Sequence, residues 1–234
     1  MATFVLIHGA WHGGWCYCRV ARILRTAGHE VFTPTLTGLG ERSHLATTDT
    51  NLDTHITDVL NVIKWEDLDN VVLCGHSYGG IVVTGVADAL PDKVTAVVYL
   101  DAYLPQDGET MMSHLTKERR DMFLRDATEN HGGVSVTAPD VSAFSVNDVD
   151  KDWVRSMLTP HPLASFQQPI RLTGAYKRLK RTFVYTKGEV ISHPYYEMFF
   201  ADPTWTVLAT NQGGHDQMVD DPITVAEILM KAAE

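Results

Sequence analysis

The chain is poor in cysteine and in basic residues, and each shortage excludes a class of protein. Its three cysteines, Cys16, Cys18 and Cys74, are an odd number without CxxC spacing, so they predict neither a disulfide framework nor a zinc site. Lys and Arg number 19 against 29 Asp and Glu, which gives a formal net charge of -10. Because nucleic acids and anionic membranes attract clustered Lys and Arg, neither is expected as a partner.

Long apolar runs are also missing. No window approaches the roughly 18 apolar residues of a membrane span, and the N-terminus enters an apolar strand at Phe4 without a basic leader. We therefore expect a cytoplasmic protein without membrane contact. The 234 residues, 44% of them hydrophobic, are enough for one large domain with its own core. A homodimer is expected because dimers are the commonest oligomers.

Apolar runs alternate with segments of helical periodicity through the first half of the chain. Such an order predicts a mostly parallel sheet with helices on both faces, which is an α/β fold. The strands are predicted at 3–8, 30–33, 70–74, 94–100, 182–186 and 204–209, and the helices at 17–27, 52–64, 79–90 and 223–233.

The stretch from 105 to 176 breaks this rhythm. Methionines and aromatic residues are scattered there among polar residues and prolines. It is too long for a structureless loop in a compact domain. We interpret 105–176 as a mainly helical cap insertion, and 1–104 together with 177–234 as the core domain.

A Gly-x-Ser-x-Gly motif follows the third predicted strand, in the segment Gly75-His76-Ser77-Tyr78-Gly79. An apolar strand precedes it and a helix follows, which is the context of a nucleophile elbow. The two glycines allow a sharp turn, and the helix N-terminus offers N–H groups to developing negative charge. Ser77 is therefore the predicted nucleophile.

A glycine-rich turn follows the first strand, in His8-Gly9-Ala10-Trp11-His12. Such a turn can direct a backbone N–H at the nucleophile and complete an oxyanion hole with the N–H after the serine. The predicted donors are Ala10 and Tyr78, with Trp11 next after Ala10. His8 and His12 are spaced as a metal pair, but neighbouring glycines disfavour a helix and no third ligand is evident, so no metal is expected.

The third motif, Gly213-Gly214-His215-Asp216, follows the last predicted strand. The general base of a serine hydrolase of this topology lies in that loop, so His215 is the predicted base. The other histidines without a motif are expected at the surface or in loops. They are His29, His44, His55, His114, His131, His161 and His193.

These three motifs resemble those of the plant methylesterase and hydroxynitrile lyase branch of the α/β hydrolases and of related bacterial esterases. The resemblance spans nearly the whole chain and is weakest in the insertion. It implies a Ser–His–acid triad, no cofactor, and a small-molecule ester bound under a helical cap. Similar lyases carry a threonine after the first-strand histidine and a lysine after the catalytic histidine. Gly9 and Asp216 stand there instead, and an anion would repel cyanide, which favours ester hydrolysis.

Two carboxylates compete for the role of triad acid. Asp101 follows the strand after the nucleophile helix and resembles the strand-end aspartate of the related bacterial esterases. Glu189 follows the next strand, near the position of the plant aspartate, and either could reach His215 because adjacent strand ends lie about 5 Å apart. Asp101 is the preferred prediction. Asp216 is not, because its side chain is expected to point away from the adjoining histidine.

The predicted reaction is cleavage of a small carboxylic ester through an acyl-enzyme, with His215 as general base. Trp11, Tyr103 and Met218 adjoin the motifs and are predicted to line the substrate pocket. Two alternatives stay open at this point: a hydroxynitrile lyase, and a protein of the same fold that binds a small ligand without turnover.

Overall fold

Residues 1–186, 199, 201–210 and 213–234 are described by the structure, a computed structural model. Its strands are β1 (Thr3–Ile7), β2 (Glu30–Phe32), β3 (Val71–His76), β4 (Val94–Leu100), β5 (Ser135–Val136), β6 (His161–Pro162), β7 (Lys180–Thr186) and β8 (Trp205–Thr210). Six of them form one sheet in the order β2-β1-β3-β4-β7-β8, and every pair in it is parallel. The predicted α/β-hydrolase fold, with its mostly parallel sheet, is confirmed.

The helices of the described part of the chain follow the predicted order. They are α1 (Cys18–Thr26), α2 (Leu52–Trp65), α3 (Gly79–Ala89), α4 (Lys117–His131), α5 (Lys151–Met157), α6 (Leu163–Gln167), α7 (Gln217–Asp220) and α8 (Pro222–Ala232). Short 3-10 helices cover Gly14–Tyr17, Gly40–Leu45, Met111–His114, Val141–Phe144 and Ala175–Arg178. None of these helices is long and apolar enough to cross a bilayer.

The sheet is covered on both faces, which explains its apolar sequence. Helix α1 packs against α8, α2 packs against α3, and both α3 and α8 contact β3 and β4. Every residue of β3 is buried, as expected of a central parallel strand. The core therefore lies on either side of β3 and β4, directly behind the loops that follow them.

The segment between β4 and β7 is mainly helical. It contains α4, α5 and α6, three of the 3-10 helices and the antiparallel pair β5–β6. Its residue Phe166 is fully buried, and Trp11 donates its indole N–H to the carbonyl of Val136 at 3.1 Å. The segment thus packs onto the turn after β1. Its division from the core at residues 105 and 176 stays an interpretation.

Candidate active site

The site lies at the carboxyl edge of the parallel sheet. Strands β1, β3, β4 and β8 end there, and the loops that follow them carry the turn at Ala10, then Ser77, Asp101 and His215. Loops at this edge are where open α/β sheets bind their ligands. The topology therefore gathers four segments that lie far apart in the sequence.

Ser77 stands at a sharp turn between β3 and α3. Its φ angle is +51°, in the left-handed region that side chains rarely adopt. Its N–H donates to the carbonyl of Leu100 at 3.3 Å, and its carbonyl accepts from the N–H of Tyr103 at 3.0 Å. Gly75 and Gly79 are needed for close approach, because a Cβ on Gly75 would lie 2.5 Å from the oxygen of Gly79. The serine itself therefore carries the backbone strain of the turn.

Asp101 and His215 meet across the sheet edge. The Oδ2 atom of Asp101 lies 2.5 Å from Nδ1 of His215. Asp101 is fully buried, has a φ angle of +44°, and donates its N–H to the carbonyl of Val184 at 2.7 Å. A carboxylate on Nδ1 selects the tautomer that places the basic lone pair on Nε2.

The main chain of His215 is held from two further directions. Its N–H donates to the carbonyl of Phe144 at 2.9 Å. Its carbonyl accepts from Nε2 of His76, the second residue of the serine motif, also at 2.9 Å. His76 thus joins the nucleophile turn to the histidine loop. The sequence analysis missed this contact because the Gly-x-Ser-x-Gly motif specifies no residue type at the position of His76.

The other two acid candidates are placed differently. Glu189 lies outside the described residues. Asp216 is fully buried, and its Oδ2 atom lies 2.9 Å from Nε2 of His12. Its carboxylate is thus engaged with the turn after β1, as expected of a side chain that points away from His215.

Three histidines hold the peptide groups of the turn after β1. Because a carbonyl oxygen only accepts, Nδ1 of His8 donates to the oxygen of Gly9 at 2.8 Å, and Nδ1 of His12 donates to that of Ala10 at 2.7 Å. Nδ1 of His161 accepts the N–H of Trp11 at 3.3 Å. Trp11 has a φ angle of +64°. The turn is therefore strained and held by side-chain hydrogen bonds at consecutive peptides.

Backbone donors at the site differ in whether they have an acceptor. The N–H of Trp11 is bound by His161. Among the described residues, neither the N–H of Ala10 nor that of Tyr78 has a hydrogen-bond acceptor. Of the three predicted oxyanion donors, only Ala10 and Tyr78 keep an N–H available to a ligand.

A cavity of about 260 Å³ opens beside Ser77 and His215. Trp11 and Tyr103, the residues predicted to contact substrate, line this cavity. Met218 is fully buried and is not among the lining residues. The remaining walls come from the turn at Ala10 and from the segment between β4 and β7: Met111, Leu115, Arg119, Phe123, Pro139, Ala143, Phe144 and Ser145. The wall is therefore mostly apolar and aromatic.

Burial keeps several histidines around the site neutral. It lowers the pKa of His8 to about 3, that of His76 to about 3 and that of His55 to about 4. It also lowers the pKa of His161 well below the ordinary value. Burial disfavours the imidazolium more than any nearby carboxylate favours it, so these rings serve as fixed hydrogen-bonding groups.

The expectation that His55 and His161 lie at the surface or in loops is wrong. Both are fully buried. Nδ1 of His55 accepts from the hydroxyl of Tyr78 at 2.8 Å, and Nε2 of His161 contacts the hydroxyl of Ser165 at 2.8 Å. His55 falls on the apolar stripe of α2, three residues after Leu52, so helical spacing could have found it. Nothing local marks His161.

The described residues contain no group of three or more His, Cys, Asp or Glu side chains arranged to hold a metal. In the pair weighed from the sequence, His8 has both ring nitrogens hydrogen-bonded, to the oxygen of Gly9 and the N–H of Leu36. His12 is likewise bonded at both nitrogens. Both histidines therefore use both ring nitrogens for hydrogen bonds within the protein.

Comparison with known proteins identifies the family to which this chain belongs. The sequence pattern described as "Alpha/beta hydrolase family" matches residues 4–228. The chain belongs to the α/β hydrolases. A carbendazim hydrolyzing esterase of a Nocardioides species is 42% identical over 98% of each chain. Methylesterase 2 of Arabidopsis thaliana is 34% identical over 44% of this chain and 40% of its own length. Esterases at this similarity support the predicted reaction class.

Among solved α/β hydrolases, an extracellular one from a Paenibacillus species has the same fold. Its TM-score is 0.84 over 99% of each chain, with 24% sequence identity. The architecture is thus retained across the whole length while most side chains differ. The predicted resemblance to plant methylesterases and their bacterial relatives is confirmed.

Proposed function

We propose that this α/β hydrolase cleaves small carboxylic esters with Ser77 as nucleophile, His215 as general base and Asp101 as triad acid. The observation that carries the proposal is the 2.5 Å contact between Oδ2 of Asp101 and Nδ1 of His215. Ser77 and His215 line the same cavity. The order Ser, acid, His along the chain agrees with the family pattern.

The reaction follows from these positions. Nε2 of His215 takes the hydroxyl proton of Ser77 as the oxygen attacks the ester carbonyl, and Asp101 stabilises the imidazolium. The tetrahedral oxyanion is held by the N–H groups of Ala10 and Tyr78, each contributing roughly 3 kcal/mol in comparable sites. The imidazolium then protonates the leaving alcohol. Water hydrolyses the acyl-enzyme with His215 again as base.

The cavity walls define the substrate class. A volume of about 260 Å³ is slightly smaller than the roughly 300 Å³ at which the usual range of small-molecule pockets begins. Trp11, Phe123 and Phe144 contribute aromatic faces and edges to its wall, which favour a flat apolar group on the substrate. We expect a short ester with an aromatic or compact acyl or alcohol part.

The lyase alternative meets a steric obstacle at Gly9. A Cβ there would lie 2.7 Å from Nδ1 of His76 and 3.0 Å from Cβ of Ser77, so the threonine of similar lyases has no room. Asp216, which stands where they carry lysine, is engaged with His12. Both observations favour ester hydrolysis. A binding role without turnover is disfavoured because a receptor has no need of a complete triad.

The test is hydrolysis of p-nitrophenyl acetate, p-nitrophenyl butyrate and carbendazim by the wild type, Ser77→Ala and Ser156→Ala. Ser156 lies exposed on α5 and serves as the matched control. We expect turnover of at least one substrate that is lost in Ser77→Ala and unchanged in Ser156→Ala. A wild type with no Ser77-dependent cleavage of any of the three would contradict the proposal, and cyanohydrin cleavage would then be assayed.

A further inference from the structure

A second aspartate–histidine pair lies beside the proposed triad. Oδ2 of Asp216 lies 2.9 Å from Nε2 of His12, and both side chains are fully buried. The ring of His12 stacks on Trp15 at 5.3 Å and meets Phe144 edge-on at 5.1 Å between centroids. These aromatic rings keep water from the pair, and a hydrogen bond is stronger in such surroundings.

Both ring nitrogens of His12 are hydrogen-bonded, so the pair is held at both ends. Nδ1 carries a proton, since it donates to the carbonyl oxygen of Ala10 at 2.7 Å. Nε2 and the carboxylate of Asp216 therefore share one further proton between them. Burial acts to raise the pKa of Asp216, but the charge and hydrogen bond of His12 outweigh it and the pKa is lowered. Asp216 is thus held as a carboxylate against the ring of His12.

The two ends of this bridge belong to the two parts of the proposed machinery that must act together. Ala10 supplies an oxyanion N–H, and its carbonyl is the acceptor of His12. Asp216 directly follows His215 and directly precedes α7. The pair joins these two segments by a direct side-chain hydrogen bond.

We propose that His12 and Asp216 are positioning residues that fix the oxyanion turn relative to the general base. The inference rests on the proposed ester hydrolysis and deepens it. Such a bridge matters most in the transition state, where oxyanion donors and base must both be in place. A displacement of about 1 Å costs on the order of 100-fold in rate. Ground-state binding depends on it much less.

The central experiment compares Asp216→Ala with Asp216→Asn by steady-state kinetics on p-nitrophenyl acetate. Alanine removes the bridge. Asparagine keeps it without charge, because a neutral His12 still donates through Nδ1 and accepts the amide N–H at Nε2. We expect kcat to fall about 100-fold in Asp216→Ala with KM changed less than about 3-fold. In Asp216→Asn, kcat is expected to return to within about 5-fold of wild type.

Asp88→Asn is the control for a purely structural effect. Asp88 is a buried carboxylate near the far end of α3, where it accepts from the N–H of Thr173 at 2.6 Å. Its substitution is expected to lower stability and to leave kcat and KM unchanged. Wild-type kcat in Asp216→Ala, or a loss that asparagine does not rescue, would overturn the positioning role.

Two substitutions of His12 decide the question if Asp216→Ala does not fold. His12→Asn places an amide nitrogen near Nδ1 and keeps the bond to Ala10, whereas His12→Gln places one near Nε2 and keeps the bond to Asp216. Each breaks one half of the bridge, so each is expected to lose at least about 10-fold in kcat. Wild-type kcat in either one overturns the inference. If instead the wild type shows no Ser77-dependent cleavage, the result contradicts the proposed function itself.

Discussion

At the scale of single residues, the site concentrates backbone strain. Trp11, Ser77 and Asp101 have φ angles of +64°, +51° and +44°, and none of them is glycine. A left-handed conformation costs such a residue about 1–2 kcal/mol. It persists where surrounding contacts determine the backbone, as functional sites often require. The hydrogen bonds that their N–H groups donate to Leu100, Val184 and His161 supply such contacts here.

The role of Asp101 gives the sharpest prediction at this scale. Asp101→Asn keeps the shape of the side chain but favours the wrong tautomer of His215. We expect kcat to fall by about 10⁴-fold with little change in KM, measured on p-nitrophenyl butyrate. Retained activity would exclude Asp101 as the triad acid, and Glu189→Gln would then test the second candidate.

At the scale of elements, α3 lies unusually close to the strands it covers. A Cβ on Gly79 would lie 2.6 Å from the oxygen of Ile7 and 2.7 Å from that of His8. The first turn of the nucleophile helix therefore touches the end of β1 through its backbone. This contact determines the distance between the two proposed oxyanion donors.

Gly79→Ala tests that close packing. The added methyl group must push α3 away from β1, so we expect a loss of about 1–3 kcal/mol in the free energy of unfolding and a clear fall in kcat. Gly108→Ala is the matched control, because Gly108 has a φ of +82° and nothing within 4 Å of its Cβ position. It should lose about 1 kcal/mol through backbone strain alone. Urea unfolding with parallel kinetics distinguishes the two, and equal kcat values would contradict the packing argument.

At the scale of the whole molecule, buried neutral histidines make the fold sensitive to acid. The pKa values of His8, His55 and His76 are about 3, 4 and 3 in the folded protein. That of His161 is also lowered. In the unfolded chain all four return to about 6.5. Between about pH 6.5 and pH 4 the unfolded chain therefore binds protons that the folded chain does not, and this favours unfolding.

We predict that the free energy of unfolding is nearly independent of these groups above pH 7 and falls steeply below pH 6. Each histidine contributes a slope of up to about 1.4 kcal/mol per pH unit. Urea titrations at pH 7.5, 6.0 and 5.0 measure it. His55→Gln should reduce this slope by the contribution of one histidine. His44 is exposed, so His44→Gln should leave the slope unchanged. A stability that is flat from pH 7.5 to 5.0 would contradict the prediction.

Periodicity and motifs predicted most of the fold and part of the site. The strand 94–100 is predicted with the bounds that β4 has, and most other elements differ by one or two residues, because apolar runs in buried parallel strands are unambiguous. Asp101 was preferred to Glu189 on resemblance, because both follow predicted strands at the same edge, and that preference stays a prediction. His161 was missed because its partner Trp11 is 150 residues away, whereas helical spacing could have found His55. The homodimer and the cytoplasmic location stay predictions.

The contact between Asp101 and His215 joins positions 114 residues apart, and this separation has a kinetic consequence. Contacts of such long range form late, since the entropy of closing the loop opposes them until the intervening chain is ordered. Ester cleavage is therefore a reporter of completed folding. In a refolding experiment tryptophan fluorescence can recover in early phases, whereas enzyme activity returns only with the last one.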